Sequence, residues 1–457
     1  MSTFTMFEIG KSALLAAKRA MDVTSHNVAN AATPGYSRQK VVLEPIIQRE
    51  AQISGVGVRA AQIVRLRDAF LDAVLRNETA NKAALSAQKE VMDNIQVIVA
   101  EPSDNSVRST LQAFWAAWQE LSTDPSSAAA RASVMESGRS VVDMFRHMNG
   151  QLESMAGDIE NNIDANVKRV NSLVESVTAM NNEIARALAR QEPVSDLLDK
   201  RDLMLDEIAE LTGATVSRLD DRTMSVRVSV GGYPLVDGPH SYKLAVAYPS
   251  GTAEFRWIDS SGNIQAMDYM GGKLGGLKTA RDDIVGSFRS ELEAYFRNIV
   301  DSVNSLHASG YATDGTPGGA FFAVGDSSDY LGSTRVSDGI VADPATIAAS
   351  SNPSDPLNGG NALAIADALE TASVGQWRAM VGKLGTQGQK IESGFQVEEL
   401  LVKELQNRKD SISGVSIDEE VANLVREQHA FNAASRVITT ADEVMDTIIN
   451  RMGLAGR

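Results

Sequence analysis

The chain has 457 residues, a formal charge of −16 and no cysteine, with 43% apolar and 5% aromatic residues. That length fits two to four domains with real cores. The acidity argues against a nucleic-acid partner, which needs a basic footprint, and the missing cysteine removes disulfides, thiol catalysis and cysteine-ligated metal. No apolar run reaches the ~18 residues of a membrane span. The first residues lack the apolar core and cleavage pattern of a signal peptide, so a cytoplasmic protein is the starting expectation.

At the N-terminus Phe7, Leu14, Met21 and Val28 stand seven apart, and the small residues Gly10, Ala17, Thr24 and Ala31 fill the line between them. This spacing predicts a helix with one narrow seam, whose small residues allow close helix approach. Thr33-Pro34-Gly35 ends it, because the residue before proline is pushed out of the helical region and Pro-Gly suits the centre of a type II turn. Further on, Gly55-Val56-Gly57-Val58-Arg59-Ala60 matches a relaxed dinucleotide fingerprint, but Val58–Val64 reads as a strand, so the glycines read as a hairpin turn.

Helices are predicted near 69–98, 105–121, 126–149, 159–188 and 195–211. The stretch 159–188 carries Ile159, Ile163, Val167, Val170, Val174 and Val177 at helical spacing. Between 213 and 276 glycine and proline become frequent and the period changes to two. Thr223–Val230 reads as a strand, with Lys243–Ala247 and Ala253–Ile258 as weaker ones. A helix is expected over 277–307. The stretch 311–360, rich in Gly, Ser, Asp and Pro, is either a long loop or part of the β domain. Another helix, 377–412, carries Trp377, Val381, Leu384 and Ile391.

The last segment is the clearest. Leu424, Phe431, Ala434, Ile438, Ala441, Met445, Ile448 and Met452 form one apolar seam on a polar helix, and Ser416 with Glu419 forms a capping box at its start. A helix over 417–452 would be roughly 50 Å long. Residues 1–45 hold five Lys/Arg and three Asp/Glu, a net of +2; residues 415–457 hold four and seven, a net of −3. Helices with matching seams and opposite charge pair with each other or with copies in neighbouring subunits; the alternative is that they cap the central bundle.

No catalytic constellation stands out. The five histidines are not at metal-ligand spacing, and no HExxH, GxSxG or kinase signature occurs. Asp220-Asp221 and Asp282-Asp283 read as turns or solvated faces, and Trp115 and Trp118 as core anchors on a helix. We therefore expect no catalytic, cofactor-binding or metal-binding residues, and no cofactor.

The string Ser25-His26-Asn27-Val28-Ala29-Asn30-Ala31-Ala32-Thr33-Pro34-Gly35-Tyr36-Ser37-Arg38-Gln39 resembles the N-terminal signature of bacterial flagellar axial proteins, and its ending resembles the hook-associated protein 1 (FlgK) family. Arg65-Leu66-Arg67-Asp68-Ala69-Phe70-Leu71, Asp196-Leu197-Leu198-Asp199-Lys200-Arg201-Asp202, Gly318-Gly319-Ala320-Phe321-Phe322 and Ser413–Glu420 are similar to later segments of the same family, in order along the chain.

The resemblance implies a mainly α fold with a β insertion. Long terminal helices form an inner coiled-coil layer, a helical bundle follows, and a small β domain faces outward. On this reading residues 1–60 with 412–457 make a terminal-helix domain, disordered in the monomer. Residues 61–212 with 275–411 make the bundle, and 213–274 make the β domain, with 311–360 as its open addition. An outer domain of some relatives is expected to be missing or reduced near 311–360.

The implied function is a non-enzymatic structural adaptor at the hook–filament junction, outside the cell, exported without a cleaved signal peptide. The implied partners are the hook protein, hook-associated protein 3, copies of the chain itself and an export chaperone near the C-terminus, with no membrane insertion. The assembly residues would be Phe7, Leu14, Met21, Asn27, Val28, Asn30, Thr33, Pro34, Gly35 and Tyr36, with Leu424, Phe431, Ile438, Met445, Ile448 and Met452. The alternatives are a distal rod or hook subunit, or a secreted enzyme on an axial scaffold with its activity in 213–360.

Overall fold

Apolar residues at helical spacing organise most of the chain into long helices. The computed structural model describes residues 3–46, 57–99 and 106–448. Helix α1 (Thr3–Ala29) leads into a hairpin of β1 (Gln39–Ile46) and β2 (Gly57–Arg65), then α2 (Ala69–Val99), α3 (Val107–Thr123), α4 (Ala128–Ala189) and α5 (Ser195–Thr212). The strands β3 (Thr215–Asp220), β4 (Ser225–Val230), β5 (Tyr233–Asp237), β6 (His240–Ser241), β7 (Lys243–Ala247), β8 (Glu254–Ile258) and β9 (Ile264–Ala266) follow. Helix α6 (Gly272–Thr279) runs through a π-turn (Ala280–Val285) into α7 (Gly286–Ser309). An irregular stretch holds β10 (Phe322–Ala323), α8 (Tyr330–Ser333), β11 (Arg335–Val336) and α9 (Asp338–Ala342), and the chain ends in α10 (Gly360–Ser413) and α11 (Ile417–Asp446). The class is mainly α with a β insertion.

Two helices are longer than the sequence pattern predicts. The expected helices over 126–149 and 159–188 are one, α4, of 62 residues, about 93 Å at 1.5 Å per residue. Gly150 and Gly157 cost about 1 kcal/mol each in a helix, but the buried line Phe145, Met148, Leu152, Ile159 continues across them and holds the helix together. Helix α10 starts at Gly360, ahead of the expected 377, because Ala362, Ile365, Ala366 and Leu369 already form a buried stripe. Ser106 and Ser127 cap α3 and α4 by accepting from Ser109 N and Ala130 N, each at 3.2 Å.

One contiguous core runs through the bundle, with Phe114, Trp118, Phe145 and Phe296 at 0–1% exposure. Phe145 and Phe296 stack at 4.7 Å between centroids. The β strands form a four-stranded antiparallel sheet, β3-β4-β5-β6, and a three-stranded one, β7-β8-β9. Strands β3 and β5 were not among the sequence expectations. The three-stranded sheet is fixed to α4 by side chains along its β7 side. The Asn171 amide donates to Leu244 O at 2.8 Å and accepts from Leu244 N at 2.9 Å. Tyr248 Oη donates to Glu160 O and the Asp164 carboxylate, both at 3.2 Å. The π-turn carries Arg281 and Asp282 outward to the same domain, where Arg281 donates to Gly251 O at 2.6 Å and Asp282 accepts from Ala253 N at 3.2 Å.

The stretch 311–359 packs on the bundle rather than on the β strands. Phe321 lies 5.8 Å from Phe114 and 5.4 Å from Trp118 between ring centroids. Arg146 of α4 donates to Thr334 O at 2.8 Å. Its glycines and aspartates make turns between these anchors, which is why its composition reads as loop. The Gly55–Val56 part of the predicted hairpin turn lies outside the described residues.

Gly276 of α6 crosses α2 so closely that a Cβ there would stand 2.3 Å from the Ala84 carbonyl oxygen. Backbone does not yield as a side-chain tip does, so Gly276→Ala should destabilise the bundle by about 1–3 kcal/mol. The measurement is urea unfolding, with a lower midpoint at unchanged slope.

Candidate assembly interface

The two chain ends form one unit. Helix α1 is paired with α11, and its other side is covered by the β1–β2 hairpin. The buried face of α1 is Gly10, Ala16, Ala17, Ala20, Val23, Thr24 and Asn27. The close approach sits at Gly10, where a Cβ would come within 2.8 Å of Ile438 Cγ1. Ser12 Oγ accepts from Val58 N of the hairpin at 3.2 Å, beside Gly57, whose φ of +140° suits glycine.

The small-residue line, not the large one, is therefore the centre of the N-terminal seam. Leu14, Met21 and Val28 are half-buried at its flank, and Phe7 is 41% exposed. Large side chains on the contact line would hold the two backbones apart. On α11, Ala434 and Ala441 are buried and Leu424, Phe431, Ile438 and Met445 are half-buried beside them; Ile448, just past the helix, is exposed. Met452 lies outside the described residues. Ser416 Oγ accepts from Glu419 N at 3.5 Å, but the Glu419 carboxylate is taken by Arg38 at 3.0 Å. Half of the predicted capping box is thus used to tie α11 to the N-terminal segment.

Asn27 is the hub of the unit. Its Nδ2 donates to Gln39 O at 2.9 Å and to Glu420 Oε2 at 2.8 Å; its Oδ1 accepts from Gln39 N at 3.0 Å and from Tyr36 Oη at 2.8 Å. All four hydrogen-bonding positions of the amide are filled within the chain, so Asn27 has none left for a second copy. The buried Glu420 carboxylate also accepts from Arg38 Nη2 at 2.6 Å. Because Tyr36 Oη gives its proton to Asn27, it accepts from His26 Nδ1 at 2.9 Å, which fixes the proton on that nitrogen. Burial, with the nearby Asp196, Asp199 and Glu420 charges, raises the Tyr36 hydroxyl well above its ordinary value.

Thr33–Tyr36 is a turn closed by Tyr36 N donating to Thr33 O at 3.2 Å. Pro34 sits at its second position and Gly35 at its third, with φ of +75°. Gly35 also lies against Leu203, whose Cγ would be 2.5 Å from an added Cβ. Asn30 finishes α1 by donating to His26 O at 3.0 Å and accepting from Thr33 Oγ1 at 3.2 Å.

The link from this unit to the bundle was not among the expected site residues. One face of α5 carries Asp196, Asp199 and Asp202, three residues apart. Asp199 accepts from Ser37 N at 3.0 Å, Ser37 Oγ at 2.7 Å and Arg65 Nη1 at 2.7 Å. Asp202 accepts from Arg65 at 2.7 Å and Arg67 at 2.6 Å, and Arg67 continues to Asp72 of α2 at 2.9 Å. Burial alone would raise the Asp202 carboxyl, but the Arg67 and Arg65 guanidiniums hold it below its ordinary value. Arg201, from the same motif, turns the other way and donates to Asn181 Oδ1 at 3.0 Å and Met224 O at 2.6 Å. Its burial, with Arg65, Arg218 and Arg76 adding to it, pushes it down to about 10 despite Asp202. The signal was in the sequence as carboxylates every third residue of a helix and arginines two apart at a strand end.

The acidic groups of 213–360 with lowered pKa are turn caps. Asp220, Asp259, Asp314 and Asp326 accept from the N–H two residues on, at 2.8–3.0 Å. The carboxyls are held low chiefly by the Arg222 N–H at Asp220, the Asn263 amide at Asp259, the Thr316 hydroxyl at Asp314 and the Ser328 N–H at Asp326. Among the described residues no cluster of three or more His, Cys, Asp or Glu could hold a metal ion, and no helix is long and apolar enough to cross a membrane.

Comparison with known proteins places matches along the chain. Residues 92–322 match the model of the flagellar hook-associated protein FlgK helical domain. Residues 7–36 match the flagella basal body rod protein model, and 410–452 the flagellar basal body rod FlgEFG protein C-terminal model. The chain is 27% identical to flagellar hook-associated protein 1 of Bacillus subtilis, over all of both chains. It is 24% identical to that of Salmonella typhimurium, over 96% of this chain and 98% of the relative. A solved structure of the flagellar hook junction protein FlgK from Burkholderia pseudomallei shares the fold with a TM-score of 0.52 at 23% identity, over 55% of this chain and 47% of that one.

Asn27→Ala leaves the Glu420 carboxylate and the Gln39 N–H short of a partner, each about 1–3 kcal/mol when buried. Limited proteolysis should then cut α1 and α11 sooner while α4 stays protected; an unchanged cleavage rate would count against the hub. The stability that Asp202 contributes is complete above its ordinary value of 3.8 and is lost as pH falls below that through its lower folded value. Exchange of β1–β2 amides should therefore accelerate in that acid range, and Asp202→Asn should remove the dependence.

Proposed function

The chain belongs to the FlgK family of flagellar hook-associated proteins, and from that premise we propose how its parts divide the work. It is a structural component of the bacterial flagellum, at the hook–filament junction. The observation that carries our reading is that the two chain ends form one helical unit, α1 on α11, joined to the bundle through the α5 carboxylates and the Arg38–Ser413 contact. The rod-protein models match at these ends, and the FlgK helical-domain model matches between them. That division favours a hook-associated protein over a distal rod or hook subunit.

In this proposal the terminal unit is the assembling part. Apolar residues remain exposed on both of its helices, Phe4, Phe7 and Leu15 on α1 and Val421, Val425 and Val444 on α11, and these meet neighbouring subunits. Asn27, Tyr36 and Glu420 shape the unit from inside, and Asn30 with the Thr33–Tyr36 turn sets where the chain leaves it. The neighbours are copies of the chain, the hook protein on one side and hook-associated protein 3 on the other. Before export the C-terminal helix is the part a chaperone would hold. The chain works outside the cell, reached by the flagellar export route, and a cysteine-free sequence suits passage through a narrow channel unfolded. The turn-cap role of Asp220, Asp259, Asp314 and Asp326, the carboxylates of 213–360 held low, supports a non-enzymatic protein.

Deleting 418–457 should leave a folded, soluble bundle that does not join hook to filament. The measurement is complementation of a null cell, with immuno-electron microscopy of isolated hooks; filament assembly by the truncated chain would rule the proposal out.

A further inference from the structure

The segment between α7 and α10 lies across the bundle as a strap, and two buried side chains fasten it. Arg131 of α4, 2% exposed, donates to the strap carbonyls of Ala345 and Ile347 at 3.2 and 2.6 Å. His307, in the last turn of α7 and 1% exposed, sits between two segments of the strap. Its Nδ1 is 2.7 Å from Gly319 O, and its Nε2 is 2.9 Å from Ala348 N. A carbonyl can only accept and an amide N–H can only donate, so the ring is held as the neutral tautomer with its proton on Nδ1.

The surroundings of the ring are dry and cationic. Helix α3 presents Trp118, with ring centroids 6.3 Å apart, and the strap presents Phe321 at 5.6 Å. Helix α10 presents Asn361, whose amide holds Ala348 O at 2.7 Å. The charged group facing His307 is Arg131 of α4, and Asp343 of the strap in turn faces Arg131. Burial, with the Arg131 charge adding to it, pushes the ring below its ordinary value of 6.5 in spite of the Gly319 bond.

We propose that His307 is an acid-sensitive latch: a solvent proton on Nε2 sets one N–H against another at Ala348, breaks that bond and frees the strap from the bundle. The sign follows from linkage. An opened strap leaves the ring at its ordinary value, so below 6.5 the open form holds more protons than the closed one. Opening then gains with each fall in pH, by up to about tenfold per unit, until the closed ring also titrates; above 6.5 opening is indifferent to pH. Freeing the strap uncovers the cluster of Phe321 and Phe322 over Phe114 and Trp118.

Hydrogen exchange by mass spectrometry on the full chain tests this, with rates corrected for the intrinsic effect of pH. The opening constant of peptides within 311–359 should rise up to about tenfold per unit below about pH 6.5, while α4 peptides near Val170 keep their protection. His307→Gln can donate to Gly319 O and accept from Ala348 N but cannot titrate, so its strap should open equally at pH 7.5 and 5. A wild-type strap with the same opening constant at both pH values, or a variant with the wild-type acid dependence, overturns the latch. Should the variant not fold, the 15N shifts of the His307 ring in the wild type decide. Titration below the ordinary histidine value, in step with loss of strap protection, supports the latch; titration above it, or unaccompanied by exchange, overturns it.

Discussion

Asp199 and Asp202 are carboxylates taken almost wholly out of water, and such a group is stable only when cations and N–H donors replace its hydration. Their partners come from the segment after α1 and from the end of β2. Folding of α5 in the bundle therefore dictates where the hairpin lies, and the hairpin dictates where α1 lies. Removing one partner of such a buried pair costs about 3–5 kcal/mol, because a charge is stranded. The terminal unit is positioned by this constraint rather than by apolar area, since its own seam is built largely of alanine and glycine.

Small residues and a buried amide do different jobs in that seam. Gly10 and the alanines let α1 and α11 approach, which gains dispersion contacts but specifies little about register. Asn27 and Glu420 supply the register: a one-residue slide of either helix would break the Asn27–Glu420 bond and leave both groups unmet. Arg38, which holds Glu420 and Glu419 together and donates its backbone N–H to Ser413 O, ties the same register to the α10–α11 junction.

The long helices were legible in the sequence because burial repeats at their own period. Line-ups such as Phe431, Ile438 and Met445 depend only on neighbours three and four residues away. The joins were less legible. The pattern around Gly150 and Gly157 reads as a break, yet tertiary packing of Leu152 carries α4 across it. The π-turn at Ala280–Val285 leaves no mark of its own in a 3.6-residue count. Strands β3 and β5 are short, and Asp220-Asp221 and Gly232 blur their edges. In the interface the Thr33–Gly35 turn was readable from local chemistry, but the partners of Asn27 were not. Gln39 and Glu420 stand 12 and 393 residues away from it, and no local period links them. The large-residue line through Phe7 lies on the flank of the α1–α11 contact for a related reason: heptad spacing marks a face, and only the neighbour's distance decides which line of that face is that contact.

Because α1 and α11 pack together under the β1–β2 hairpin, the chain between Arg65 and Ser413 leaves and re-enters one stem, to which α5 also fastens it. A load applied along the paired terminal helices has a direct path from α1 to α11 and reaches the bundle chiefly through the α5 carboxylates. The long helices of the bundle can then be tuned for stiffness in bending, with tensile strength left to the stem. Changes in the size of the outer parts, such as a shortened strap region, alter the lever arm while the load path stays the same.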